Sequence, residues 1–156
     1  MQLSYLLAIS AVSLITVAEE LRKIEYCFDA VYEAFGDLTF VGNTADEYWE
    51  STCQNPLKLT SIYASAKTYC TDHEIHAGTL LLAHYCMEYG EVELVPMSKF
   101  AENLTKDFIK SMRVVNYGDI PETENITVPI LLSGEYYGAS HRTVVGRLSI
   151  IYTKCL

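Results

Sequence analysis

The sequence predicts an all-α fold: a small disulfide-stapled helical bundle with an extended connector and a weak C-terminal helix. Three observations carry this prediction. Apolar residues recur at helical spacing in one segment after another, capping residues stand where those segments begin, and four of the five cysteines fall inside the patterned stretch. A chain of 156 residues suits one domain.

Taken in order, residues 21–35 (LRKIEYCFDAVYEAF) place Ile24, Cys27, Phe28, Val31 and Phe35 on one stripe, and Gly36-Asp37 ends the helix. Asp46 to Cys53 has room for one or two helical turns. After Pro56, LKLTSIYASAKTYC repeats apolar residues at Leu59, Ile62, Tyr63, Ala66 and Cys70. Thr71 or Asp72 then caps a helix that runs to about Tyr89 and stops at Gly90. Ser98, two residues after Pro96, caps KFAENLTKDFIKSM, whose stripe is Phe100, Leu104, Phe108 and Met112. Beyond Met112 the stretch RVVNYGDIPETENITVPILLS holds two prolines and a glycine, so an extended connector with little regular structure is expected. Ser133 is positioned to cap a last helix through SGEYYGASHRTVV.

The domain layout follows: a signal peptide over 1–18, a four-cysteine helical domain over 19–112, and a connector with a C-terminal segment over 113–156. Leu3 to Ala18 carries no charge, Thr16 and Ala18 occupy the positions a signal peptidase reads, and Glu19-Glu20 opens a polar mature chain. As a membrane anchor the same run falls short of the ~20 residues a span needs. No later tract is apolar enough to cross a bilayer.

Cysteine usage agrees with export. Cys27, Cys53, Cys70 and Cys86 have no zinc-ligand spacing, and in an oxidising compartment they read as two disulfides with three possible connectivities. Buried free thiols are the other reading. Cys155 is left over. The sequons at Asn103 and Asn125 suit the same compartment and are candidate glycosylation sites.

Charge and motifs exclude several functions. Twenty acidic against eleven basic residues give a net charge of −9, which repels nucleic-acid phosphates. No GxSxG, GxGxxG or phosphate-binding loop is present, so no catalytic residue is assigned. His73, His76 and His84 fall on one side of a single helix. His76 and His84 are separated by about 12 Å of helical rise, so only His73 with His76, helped by Asp72, is a candidate metal pair. A solvated polar face explains the same residues. Trp49 is read as a packing anchor.

The order CFDAVYEAF, Tyr48-Trp49 with Cys53, IYASAKTYC, Cys86 and NITVPILLS before a Tyr-rich helix resembles the N-terminal extracellular region of fungal ferric-chelate (ferric/cupric) reductases. The resemblance spans roughly residues 1–145. In that family the region precedes a transmembrane bundle carrying two haems, followed by a module that binds FAD and NADPH. It implies a place at the outer face of the plasma membrane and a role in iron or copper acquisition, with metal chelates or a membrane reductase as partners. From Gly146 this chain reads GRLSIIYTKCL, and none of the family's haem, flavin or nicotinamide residues has a counterpart here. The expectation is therefore a domain that holds no cofactor and does not reduce metal ions by itself. The alternative is a secreted or wall-associated binding or structural glycoprotein without a redox role.

Overall fold

A computed structural model describes residues 23–42, 48–121 and 124–153. The expected signal peptide and cleavage site, and Cys155, lie outside the described residues. The architecture is a helical bundle closed by two disulfides, with one short parallel strand pair.

Helix α1 (Tyr26–Ala34) buries Cys27, Phe28 and Val31 of the expected stripe, with Phe35 buried at its C-cap, while Ile24 precedes the helix and is only half-buried. Short α2 (Tyr48–Gln54) leads into α3 (Pro56–Tyr69). Asn55 caps α3 by accepting from the amides of Leu57 and Lys58, and Pro56 sits at the first helical position, where its missing N–H costs nothing. Every residue of α3 from Lys58 to Ala66 is buried. Its apolar stripe faces the other helices, while Ser61 and Ser65, one turn apart on another side, serve the strands.

Thr71 caps α4 (Asp72–Gly90) through a reciprocal capping box with Glu74. The reversal at the end of α4 falls one residue later than expected. Glu91 takes the left-handed conformation at φ 53°. Gly90 is still helical, and a Cβ there would come within 2.6 Å of the Trp49 Cβ, so the close approach of α2 requires glycine. Gly78 is more constrained still: a Cβ would stand 2.2 Å from the Phe28 Cβ, so α4 approaches α1 backbone to side chain.

The bridges join Cys27 to Cys70 and Cys53 to Cys86. The two loops they close interlock in sequence, tying α1 to the end of α3 and α2 to α4. Their spans of 43 and 33 residues correspond to about 4 kcal/mol each in the chain-entropy account.

The helix expected over 99–112 is broken. Met97–Lys99 forms one 3-10 turn, and α5 covers only Lys106–Ser111. Thr105 interrupts the periodicity: its backbone is extended (φ −73°, ψ 157°) and its hydroxyl accepts from the Phe108 amide, so it starts a new helix. Leu104, buried just before this cap, pins the turn to the core.

The connector also departs from expectation, since it contains strands. β1 (Arg113–Val115) pairs in parallel with β2 (Ile130–Leu132), and β2 is buried throughout. The amides of Ile130 and Leu132 donate to the hydroxyls of Ser61 and Ser65 at 3.0 and 3.3 Å. A helix thus satisfies the strand edge that another strand would normally cover.

Ser133 caps α6 (Gly134–Thr153), accepting from the Tyr136 amide. This helix packs along α1 and is anchored to it by polar groups at successive turns. Tyr136 Oη donates to the Ala34 carbonyl at 2.9 Å, Ser140 Oγ to the Ala30 carbonyl at 2.7 Å, and Arg147 pairs with Glu33 at 2.8 Å. Tyr137 lies flat on Tyr69, with ring centroids 4.4 Å apart, and its hydroxyl donates to Cys27 Sγ. Tyr63 and Tyr69 likewise donate to the carbonyls of Val95 and Leu132. The abundance of tyrosine therefore has a structural use, in which a buried ring ends in a hydroxyl that ties distant backbone together.

Candidate functional site

A concavity lies where the end of α1 meets α6. Its volume is about 500 Å³. Glu33 comes from the last turn of α1, Asp37 from the turn that follows, Tyr48 from the start of α2, Tyr117 from the loop after β1, and Tyr136 and Arg147 from α6. A smaller hollow of about 180 Å³ shares Asp37, Tyr117 and Tyr136, so the two form one groove that continues toward Pro121.

Each wall is fixed by a local interaction. Tyr48 Oη lies 3.2 Å from Tyr32 Oη. The loop bearing Tyr117 is held by Asp119, whose carboxylate accepts from the Asn116 backbone amide at 2.8 Å and from its side chain at 3.1 Å. Tyr117 is 79% exposed and meets the buried ring of Tyr136 edge to face, with centroids 5.4 Å apart. Ser140 and Thr143 add hydroxyls along the α6 wall.

The electrostatics are uneven. Arg147 is committed to Glu33. Asp37 is exposed and forms no ion pair among the described residues. Asp29, one turn before Glu33, has its carboxyl pushed up to about 6 by burial, then by Glu33 and Glu25, with Arg147 pulling the other way. Burial, and then Asp37 and Tyr117, raise the Tyr136 phenol. Lys58 is only 2% exposed, and its ammonium sits 5.2 Å from the centroid of the Tyr48 ring. Burial pulls it down to about 8, against an opposing pull from Asp37. Sequence reasoning missed this groove entirely, since its residues are spread from 33 to 147. Lys58, a lysine inside an apolar helical stretch, is the one signal of it that the sequence carries.

The residues singled out from the sequence lie elsewhere. His73 and His76 are exposed on α4, and His84 pairs with Glu88 at 2.8 Å. No group of three His, Cys, Asp or Glu side chains converges among the described residues. Ile75, Leu82 and Cys86 form the buried side of α4, away from these histidines, and Tyr89 is 58% exposed. It stacks on Trp49 at 5.5 Å in an aromatic cluster with Tyr48 and Tyr85, so Trp49 does anchor packing. Asn103 and Asn125 are both exposed. No helix among the described residues is long and apolar enough to cross a membrane.

A comparison with family models, with curated proteins and with solved structures finds no match to this chain.

Proposed function

We propose that this chain is an extracellular recognition domain that binds a small ligand in the groove between α1 and α6 and carries out no electron transfer by itself. The observation that carries this reading is the groove: about 500 Å³, within the usual range for ligand sites, walled by three tyrosines and a few charged groups drawn from separate elements. The two bridges support export, because such bonds persist in oxidising compartments. The resemblance to reductase ectodomains implies one form of the proposal, in which the domain works in iron or copper acquisition beside a membrane reductase. The exposed sequons at Asn103 and Asn125 support the alternative form, a secreted or wall-associated glycoprotein.

The test is amide shift mapping of the secreted, disulfide-intact chain with cationic, neutral and anionic small solutes, including a gallium chelate standing in for ferric iron. Shifts gathered at residues 33–37, 117 and 136–147 support the reading. Shifts confined to the His73–His76 turn, or none, refute it. Incubating the same protein with NADPH and a ferric chelate is expected to give no turnover, and steady turnover would refute the non-catalytic half.

A further inference from the structure

Resting on that binding-domain reading, we infer that the groove is a site for an organic cation, a substituted ammonium held against tyrosine faces with a carboxylate at its side. Three features of the groove converge on this class. The first is aromatic. Tyr48, Tyr117 and Tyr136 line one cavity, and the face of an aromatic ring attracts an ammonium placed within about 6 Å. Tyr48 already does this with the protein's own Lys58, at 5.2 Å.

The second feature is charge. Two carboxylates and one guanidinium line the cavity, and the guanidinium is taken by Glu33 at 2.8 Å. Asp37 is left exposed without an ion-pair partner among the described residues. Among the side chains that line the cavity an anion would meet Asp37 with no free cation, the nearby Lys58 being buried against Tyr48 and outside that lining, whereas a cation meets its complement. The chain's net charge of −9 adds a long-range field of the same sign.

The third feature is preorganisation. Tyr136 is locked by its bond to Ala34, Tyr48 by its contact with Tyr32, and the Tyr117 loop by the Asn116–Asp119 bonds. Rings that are already placed lose little freedom when a ligand arrives. One group opposes the ligand. Lys58, covering one face of Tyr48, repels a second positive charge in the groove. Its neutral replacement therefore strengthens binding, which a site for anions would not do.

The experiment titrates the disulfide-intact mature chain with choline, with its neutral carbon analogue, and with acetate. Amide shifts are recorded together with the fluorescence of Trp49, the single tryptophan, whose ring lies 5.1 Å from Tyr48. Choline is expected to bind at least about tenfold more tightly than the neutral analogue, in keeping with one desolvated cation–ring contact. Tyr117→Ala and Asp37→Asn, both at exposed positions, are each expected to weaken choline severalfold, Tyr117→Phe to leave it unchanged, and Lys58→Met to tighten it. Equal binding of the neutral analogue, preference for acetate, or loss of binding in Tyr117→Phe would overturn the cation assignment while leaving a ligand groove in place. Failure of every probe to perturb the groove would overturn the cation assignment and the binding-domain reading together.

Discussion

Replacing Lys58 with methionine removes a charge from the interior while keeping a flexible, apolar side chain of similar length, so the packing around α3 is retained. The magnitude follows from the titration. An ordinary lysine loses its proton at 10.5, and burial brings Lys58 down to about 8. At about 1.36 kcal/mol for each tenfold change, keeping the ammonium charged in the fold costs about 3 kcal/mol near pH 7. Losing the contact with Tyr48 returns about 1 kcal/mol of that. Lys58→Met is therefore expected to stabilise the protein by about 2 kcal/mol near neutral pH.

The pH dependence is the stricter check. The folded-state pKa lies below the unfolded one, so the unfolded chain binds the extra proton between about 8 and 10.5. Stability of the wild type consequently rises with pH through that window, and by about pH 9.5 the penalty falls to roughly 1–1.5 kcal/mol. Phenols raised by burial, Tyr32 and Tyr63 among them, work in the opposite direction at higher pH, so the measurement stops there. Urea unfolding of both proteins at about pH 7, 8.5 and 9.5, with the bridges intact, should show the variant's advantage shrinking to about 1 kcal/mol. An advantage that stays constant with pH would mean that Lys58 pairs with a counter-charge, and the desolvation argument would be wrong.

Asp29→Asn acts on the acidic side. Its carboxyl is raised from 3.8 to about 6, so its contribution to stability is fully present below about pH 4 and is lost as pH rises through about 6. Partial solvent contact reduces the effect, and the variant should be stabilised by about 1–2 kcal/mol at neutral pH and not at all near pH 4, read from denaturation midpoints. The double change of Ser61 and Ser65 to alanine strips two acceptors from the buried amides of β2 and should cost about 2–4 kcal/mol, with faster hydrogen exchange confined to residues 130–132. Gly78→Ala gains about 1 kcal/mol of helix propensity but drives a methyl into fully buried Phe28. A net loss of about 2 kcal/mol or more in thermal unfolding is expected, because the methyl meets the Phe28 Cβ itself, which no rotation of the ring removes. Under mild reductant the Cys27–Cys70 bridge, whose Cys70 is half-buried, should open before Cys53–Cys86, where both sulfurs are inaccessible. Mass mapping of alkylated cysteines gives the order.

Local chemistry was decisive wherever a segment's partners lie within a few residues. Most of the stripe of α1, the helix after Pro56, the Thr71 cap and the Ser133 cap are short-range devices found where the sequence puts them, and the Asn55 cap and the Glu74 half of the box are equally local. That four cysteines would bridge was also legible, because their context is compositional. Which cysteine meets which was not, since Cys27 reaches Cys70 across 43 residues and only helix packing brings them together. The strands were invisible for the same reason. RVV and ILL are too short to show a period, and β2 becomes a strand only because β1 lies on one edge and two serines of α3 on the other. At 99–112 a convincing apolar stripe lost to a single hydroxyl, since Thr105 bonding the Phe108 amide satisfies the backbone as well as a continuous helix would. The groove belongs wholly to the tertiary structure. Glu33, Asp37, Tyr48, Tyr117, Tyr136 and Arg147 share no spacing and no motif. They form a site only because α6 lies along α1 and carries the loop of Tyr117 with it, and no periodicity in one dimension encodes that apposition.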